Sequence, residues 1–216
     1  MPQKITVIGS TGLIGLQFLR SISEGEYEGV TAITRREITS LSDRSFIYQA
    51  IHDFSDLEKI RADLKTDVLV CALGTTIKTA GSQERFFEID HNIPLALAKI
   101  AREEGCQTFI LVSSMGANAQ SKIFYSRVKG KLEVALKDVG FKRLHILRPS
   151  MLLGEREESR PGEFIGKIIM KPLSFIIPWD YKPIHASTVA DKIRALVSGE
   201  GLGTSIWSGK ELFNKN

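Results

Sequence analysis

The sequence has few cysteines and histidines, and none of them is spaced like a metal site. Its 216 residues include two cysteines, Cys71 and Cys106, and four histidines. The cysteines lie at no metal-ligand spacing, so we expect buried free thiols in a reducing compartment. His52, His91 and His145 also lack the spacing of a ligand set. We therefore expect no metal ion.

The sequence also lacks a membrane-spanning segment and a basic block. Its longest apolar stretch, Phe164–Trp179, is interrupted by two lysines and two prolines, which argues against a membrane span. The net charge is +4, but basic and acidic residues are interleaved along the chain, so nucleic-acid binding is not expected. The chain enters a predicted strand at once, with no signal peptide. We therefore expect a cytoplasmic protein without nucleic-acid or membrane partners.

The remaining composition is that of a globular protein, with 43% hydrophobic and 25% charged residues. This length suits one domain, residues 1–216, with a substantial core. Predicted strands and helices alternate through the first two thirds of the chain. This alternation predicts an α/β fold, a Rossmann-type doubly wound parallel sheet. Residues 154–185 depart from the alternation, and we expect them to form a small irregular cap on the substrate side.

A glycine turn at Gly9–Gly15 follows a β-branched run and opens an apolar helix. A strand, a glycine turn and a helix in this order form the first unit of a dinucleotide-binding fold. Gly9 permits the tight turn, Gly12 lets the backbone approach a pyrophosphate, and Gly15 allows close packing of helix and strand. The amides of the first helical turn would face the phosphates. Two side chains can add hydroxyl donors: Ser10 and Thr11. The alternative is a purely structural turn.

Arg35 and Arg36 directly follow the second predicted strand, Val30–Thr34. A site that prefers NAD places an acidic residue at this position, on the ribose 2′-hydroxyl. Here two guanidinium groups stand instead, and their fork matches a 2′-phosphate. The pattern favours NADP(H) over NAD(H). Two solvated loop arginines are the alternative.

Asp53 and Phe54 follow the third predicted strand, beside the crevice where an adenine would lie. The Asp53 carboxylate can accept a hydrogen bond from an adenine amino group, or it can close a plain turn. Ser55 can equally be the N-cap of a helix over Asp56–Leu64, with Glu58 at its capping-box position.

A near-continuous apolar run, Thr66–Leu73, is typical of a central parallel strand covered on both faces. Gly74 ends this strand and would allow close approach to the phosphates and ribose of a cofactor. A flexible loop is predicted for Ile77–Arg85. A helix is predicted over Phe86–Glu104, where Pro94 implies a kink or a late start.

Tyr125 and Lys129 share one face of a predicted helix that follows the strand Thr108–Val112 and the pair Ser113 and Ser114. A free tyrosine is a slow proton carrier at neutral pH, since its pKa is near ~10. A neighbouring ammonium favours the phenolate and lowers that pKa. The same lysine can bind the nicotinamide ribose, and a serine at the strand end can hold a substrate oxygen.

These motifs together resemble the short-chain dehydrogenase/reductase superfamily. Within it, the chain is most similar to the atypical branch that includes the Tat-interacting-protein oxidoreductases and their bacterial relatives. The segments that carry this similarity are Cys71–Thr76, Ser113–Ala117, Arg148–Gly154 and Glu157–Glu163. The resemblance implies NADP(H) binding, with Ser114, Tyr125 and Lys129 as the catalytic set. The expected cofactor contacts are Gly9, Ser10, Thr11, Gly12, Leu13, Ile14, Gly15, Arg35, Arg36, Asp53, Phe54, Leu73, Gly74, Thr75, Ser113, Tyr125, Lys129, Arg148, Pro149 and Met151.

Two departures from the family pattern bear on function. Asp90 stands where related extended members commonly have Asn, and the short carboxyl-terminal segment leaves little material for a nucleotide-sugar pocket. We therefore expect an NADP(H)-dependent oxidoreductase acting on a small carbonyl or alcohol substrate, as a monomer or homodimer. A non-catalytic NADP(H)-binding redox sensor that acts through a protein partner is the alternative. His185 is expected to be a core or cap histidine.

Overall fold

A computed structural model describes residues 3–154 and 182–213 of the chain. The strands are β1 (Lys4–Ile8), β2 (Gly29–Thr34), β3 (Ile47–Ile51), β4 (Val68–Cys71), β5 (Thr108–Val112), β6 (Arg143–Arg148), β7 (Leu152–Leu153), β8 (Ile184–His185) and β9 (Gly203–Ser208). The α-helices are α1 (Leu13–Ser21), α2 (Ile77–Ala80), α3 (Gln83–Phe87), α4 (Ile93–Glu103), α5 (Phe124–Lys137) and α6 (Ala186–Ser198). The 3₁₀ helices are Thr39–Leu41, Leu57–Leu64 and Gly209–Leu212, and Glu88–Asn92 forms a π-helical turn.

Seven strands form one sheet in the order β3-β2-β1-β4-β5-β6-β9, and every neighbouring pair is parallel. The order reverses between β1 and β4, as in a doubly wound sheet. β4 and β5 are buried along their whole length, which explains why their sequences are continuous apolar runs. The predicted fold class, a Rossmann-type parallel sheet, is confirmed.

Helices cover both faces of this sheet. α1 and α6 pack on one face, where Phe18 of α1 is completely buried. α4, α5 and the 3₁₀ helix Leu57–Leu64 pack on the other face, around Phe109 of β5. Burying one such side chain contributes about 3 kcal/mol. The two apolar layers hold the sheet rigid, so its strand ends have fixed positions.

The predicted loop at Ile77–Arg85 is wrong, because this segment contains α2 and the start of α3. Thr76 caps α2 by accepting a hydrogen bond from the Thr79 N–H, and Ser82 caps α3 in the same way. Of the kink or late start expected at Pro94, the structure has the late start, because α4 begins at Ile93 and Pro94 lies in its first turn. The π-helical turn Glu88–Asn92 joins α3 to α4. The chain from α3 to α4 is therefore helical with one π turn.

The predicted cap of the third helical segment is displaced by one residue. Asp56, and not Ser55, is the N-cap of Leu57–Leu64, and its side chain accepts from the Glu58 N–H. The Ser55 hydroxyl donates to Asp53 instead. Serine and aspartate can both cap a helix. Because Ser55 is bonded to Asp53 in the preceding turn, Asp56 takes the N-cap position.

The predicted cap over residues 154–185 falls mainly outside the described residues, as do Phe164–Trp179 and the segment Glu157–Glu163. Where the chain is described, β7 and β8 pair in parallel, with Leu152 opposite Ile184 and Leu153 opposite His185. His185 is exposed and precedes the first residue of α6.

Both cysteines are buried free thiols, as predicted. Burial raises the pKa of Cys71 and that of Cys106 to about 11. In the described ranges, 3–154 and 182–213, no helix is long and apolar enough to cross a membrane.

Candidate functional site

The carboxyl ends of the central strands bring most of the predicted site residues together. Parallel pairing sets Ile8 of β1 beside Cys71 of β4, and Cys71 beside Leu111 of β5. The segments that follow these strands therefore lie side by side at one edge of the sheet. The reversal of strand order between β1 and β4 leaves a crevice at this edge, where doubly wound folds bind their ligands.

The glycine turn after β1 is a backbone cradle in which Gly9 and Gly15 have no room for a side chain. A Cβ on Gly9 would lie 2.4 Å from the carbonyl carbon of Ala72, and one on Gly15 would lie 2.4 Å from the Gly9 carbonyl oxygen. Gly9 also has a positive φ of 81°. A Cβ on Gly12 would lie 3.1 Å from that same oxygen. Only glycines allow β1, the strand end at Ala72 and the start of α1 to approach this closely.

The helix that follows presents its first turn at this cradle. Gly12 is the N-cap of α1 and has no side chain to cap it, while its own N–H donates to the Gly9 carbonyl over 2.9 Å. The first amides of a helix have no intrahelical partner and carry a partial positive charge. Leu13 and Ile14 supply the next amides of this turn. A bare backbone with amides of this kind fits the pyrophosphate of a dinucleotide.

The hydroxyl groups of the turn do not behave alike. Ser10 is buried, and its hydroxyl donates to the Val7 carbonyl over 2.9 Å, so this side chain ties the turn to β1. The expected Ser10 hydroxyl donor is thus directed into the fold. Thr11 is exposed at the surface of the turn.

The predicted adenosine-side residues follow β2 and β3. Arg35 and Arg36 are exposed immediately after β2, where the Thr34 hydroxyl donates to the Arg36 carbonyl. Asp53 is exposed and closes a turn, because its Oδ1 accepts from the N–H and the hydroxyl of Ser55. These bonds hold the pKa of Asp53 below its usual value. Phe54, half-buried, has a positive φ of 64°.

A buried ion pair lies at the carboxyl end of β4. The Lys129 ammonium is 2.7 Å from Oδ1 of Asp90, and the two side chains are 5% and 0% exposed. The Thr75 N–H donates to the other Asp90 oxygen over 2.9 Å. Gly74 borders the pair, since a Cβ there would lie 3.3 Å from Asp90 and 3.4 Å from Lys129. Three segments, β4–α2, the π turn and α5, therefore meet at this point.

Burial and the neighbouring negative charge shift the pKa of Lys129 in opposite directions. Burial alone would lower the pKa of this lysine, since it disfavours the charged form. The adjacent Asp90 carboxylate outweighs that effect, with a further contribution from Tyr125, and the pKa of Lys129 is raised. The site therefore contains a permanent ammonium group at neutral pH.

Tyr125 lies one turn before Lys129 on α5, close enough to act on it electrostatically. Its ring packs against buried Phe86 of α3, with ring centroids 5.6 Å apart. Gly130 holds α5 in place, because a Cβ there would lie 2.2 Å from the backbone of Asn118 and Ala119. The helix cannot shift without opening this contact.

Ser113 and Ser114 follow β5 but have different surroundings. The Ser113 hydroxyl is buried and donates to Glu133 over 2.5 Å. Arg148 of β6 donates to both oxygens of the same carboxylate, through Nε at 3.0 Å and through Nη2. Ser114 is half-buried, and its hydroxyl contacts the Met115 carbonyl at 3.3 Å. Ser114 is thus the serine that borders the crevice, while Ser113 fastens the strand end.

The segment that follows β6 lies at the same edge of the sheet. The Pro149 carbonyl accepts from the Met115 N–H over 2.9 Å, which joins this segment to the one after β5. Met151 is 40% exposed. Further on, Gly154 packs on Leu13, since a Cβ there would lie 2.8 Å from Leu13 Cδ1. The chain therefore returns to the first residue of α1.

Sequence reasoning overlooked two residues of this site. Glu133 was not predicted, although it lies four residues after Lys129 and so on the same helical face. Asp90 was noted only as a departure from the family pattern, because no local signal shows that it meets Lys129.

The sequence matches the model of the NAD dependent epimerase/dehydratase family over residues 5–174. The chain belongs to this family. Protein HTATIP2 of Rattus norvegicus is 32% identical over 199 residues, which are 91% of this chain and 80% of the rat protein. Protein FMP52, mitochondrial, of Saccharomyces cerevisiae is 38% identical over 164 residues, 75% of this chain and 71% of that protein.

Solved structures of the same superfamily share the fold. MoeE5 in complex with UDP-glucose and NAD matches with a TM-score of 0.74 at 14% identity, over 97% of this chain and 79% of that one. The Bordetella bronchiseptica enzyme WbmG in complex with NAD matches with a TM-score of 0.72 at 12% identity, over 96% and 73%. The predicted membership of the extended short-chain dehydrogenase/reductase superfamily is confirmed, together with a fold suited to a nicotinamide dinucleotide.

The expectation of a cytoplasmic protein is contradicted by the relatives. The Saccharomyces cerevisiae protein and that of Emericella nidulans, which is 35% identical over 76% of this chain and 72% of its own length, are both named as mitochondrial. A sequence pattern such as a predicted strand near the first residue does not identify the cellular compartment of a protein.

Proposed function

We propose that the protein is an NADP(H)-dependent oxidoreductase that interconverts a small carbonyl compound and its alcohol. The observation that carries this proposal is the Lys129–Asp90 pair beside Tyr125, at the strand edge that also holds the glycine cradle. The bare cradle at Gly9–Gly15 suits a pyrophosphate, and the exposed guanidinium groups of Arg35 and Arg36 suit a 2′-phosphate. MoeE5 and WbmG, which share the fold, are described as complexes with NAD.

Tyr125, Lys129 and Ser114 have different roles in this proposal. A bound nicotinamide supplies a hydride to the carbonyl carbon, or accepts one from the alcohol. The Tyr125 hydroxyl donates its proton to the carbonyl oxygen as the alcohol forms, and takes it back in the reverse direction. The positive charge of Lys129 stabilises the resulting phenolate, and its remaining N–H groups can bind ribose hydroxyls. Ser114 donates a hydrogen bond to the substrate oxygen.

The substrate class is a further part of the same proposal. MoeE5 is described with UDP-glucose, and the match covers 79% of that longer chain. We propose that this chain instead binds a small substrate between Ser114, Tyr125 and the cap over residues 154–185, within one domain of residues 1–216.

Turnover of a panel of carbonyl compounds with NADPH tests the proposal. Tyr125→Phe removes only the hydroxyl, so turnover should fall by about a hundredfold or more while NADPH affinity stays unchanged. Tyr48→Phe is the matched control, because Tyr48 is 62% exposed on the edge strand β3. Tight binding without turnover of any compound would favour the redox sensor instead, and unchanged turnover in Tyr125→Phe would exclude the proton-transfer role.

A further inference from the structure

Asp90 is a carboxylate with no access to solvent. It lies in the π-helical turn Glu88–Asn92, where the extra residue per turn changes the direction of the side chains relative to α3 and α4. One of its oxygens is 2.7 Å from the Lys129 ammonium, and the other accepts from the Thr75 N–H over 2.9 Å. Both oxygens therefore contact a positive charge or a fixed donor.

The pair lies against the backbone of Gly74, which is half-buried. A Cβ at this position would lie 3.3 Å from Asp90 Oδ1 and 3.4 Å from Lys129 Nζ, which is tighter than an ordinary contact. The absence of a side chain here lets the ion pair reach the carboxyl end of β4. That end lies beside the glycine cradle, because Ala72 packs on Gly9.

A buried ammonium group needs a compensating charge to stay protonated. The titratable groups that act on Lys129 are Asp90 in the π turn, Tyr125 on α5 and Cys71 on β4. Phenols and thiols are ordinarily neutral at pH 7. Burial further raises the pKa of Cys71, to about 11. Asp90 is thus the member of this set that supplies a full negative charge.

We propose that Asp90 is a positioning residue that keeps Lys129 protonated and directs its ammonium to the carboxyl end of β4. An ammonium has three N–H donors, so a bond to Asp90 leaves two for other acceptors. The pair gives the site a fixed donor whose charge does not change in the neutral range. This inference deepens the proposed function and rests on it only in assigning Lys129 to the cofactor ribose.

The ionisation of Lys129 can be measured in the protein without any added nucleotide. NMR of protein labelled with ¹³C at the lysine ε-carbons follows each lysine with pH, and Lys129→Met identifies the signal that belongs to Lys129. We expect this lysine to stay protonated throughout the neutral range in the wild type and to titrate at least about two pH units lower in Asp90→Asn than in the wild type. Glu88→Gln removes a carboxylate from the same turn and should leave the titration unchanged. Equal midpoints in Asp90→Asn and the wild type would overturn the proposal.

Stability measurements keep the proposal testable if Asp90→Asn folds poorly. Asp90→Asn leaves a buried ammonium without its counterion, whereas the double variant with Lys129→Met removes both charges. We expect the double variant to unfold at a higher temperature than Asp90→Asn. A double variant no more stable than Asp90→Asn would show that Asp90 does not act through Lys129.

The pH dependence of NADPH affinity separates positioning from packing. In Asp90→Asn, the dissociation constant should rise with pH as Lys129 loses its proton, by about tenfold or more across the lysine's titration, beyond any change in the wild type. A loss of packing alone would weaken binding by the same factor at every pH, and that result would contradict the proposal. A wild type that binds no NADPH would contradict the proposed function, and the cofactor-free titration would still decide the role of Asp90.

Discussion

The Gly15 Cα lies so close to the Gly9 carbonyl oxygen that a Cβ on Gly15 would be 2.4 Å from that oxygen. Both atoms belong to backbone that is fixed by neighbours: Gly9 packs on Ala72, and Gly15 is buried in the first turn of α1. The contact therefore cannot be relieved by a side-chain rotation. It sets the distance between β1 and α1.

Gly15→Ala should accordingly destabilise the fold by about 3 kcal/mol or more, because the backbone must move. Urea unfolding, monitored by circular dichroism, measures this loss of folding free energy. Gly29→Ala is the matched control, since a Cβ there would meet only a Lys4 side-chain carbon at 3.8 Å. Equal midpoints for the two variants would mean that helix and strand are not packed as described.

Glu133→Gln should lower the free energy of unfolding by about 2 kcal/mol. The change removes the negative charge that Arg148 contacts through two donors, and the Glu133 side chain is only 4% exposed. Glu58→Gln breaks an ion pair of the same type at the surface, with Arg61, and should have no measurable effect. Thermal unfolding of both variants checks the difference, and a Glu133→Gln variant as stable as the wild type would refute the buried network.

Stability should fall as the pH is lowered from about 6.5 toward 4 partly because of His145. Burial, followed by the nearby Arg143 and Lys192 charges, lowers the pKa of His145 from 6.5 to about 4. The unfolded chain therefore binds a proton in this range that the folded chain does not. The stability that comes from keeping His145 neutral is fully present above the pKa of His145 in the unfolded chain. It is lost as the pH falls to the lower pKa of His145 in the folded chain.

His145→Gln, which has no titrating ring, should show a shallower decline of the unfolding midpoint across that interval. Urea denaturation at a series of pH values measures it. If the urea midpoint fell equally with pH in His145→Gln and the wild type, His145 would be solvated and would not contribute to this pH dependence.

Arg35→Ala and Arg36→Ala should each weaken NADPH binding by about tenfold or more while leaving NADH binding nearly unchanged, because only NADPH carries the 2′-phosphate. Lys137→Ala, which removes an exposed positive charge at the end of α5, controls for nonspecific attraction. Equal losses for both nucleotides would indicate that the arginines do not contact the 2′-phosphate.

The sheet and the glycine cradle were predictable because their signals are local. Continuous apolar runs gave β4 and β5, and the spacing of Gly9, Gly12 and Gly15 indicated close approach before any neighbour was known. Parallel strands then bring Gly74 and Ser114 to the same edge. These features depend on chain order and residue size alone.

The buried charges were not predictable, because each depends on a partner distant in the sequence. Asp90 contacts Lys129, which lies 39 positions later in the sequence, through a π turn that no sequence pattern predicted. Glu133 follows basic and apolar residues on a helix and has the appearance of a solvated side chain. The loop predicted at Ile77–Arg85 was a different error, since the capping residues Thr76 and Ser82 were visible in the sequence.

A fluorescence titration of the wild type and Gly12→Ala with NADPH tests the central claim most directly. A Cβ at Gly12 would lie 3.1 Å from the Gly9 oxygen, which is tight enough to alter the cradle and mild enough to keep the fold. We predict saturable NADPH binding to the wild type and a loss of at least about tenfold in affinity in Gly12→Ala, with little change in melting temperature. Failure of the wild type to bind, or equal affinity in the two proteins, would contradict a dinucleotide site at Gly9–Gly15.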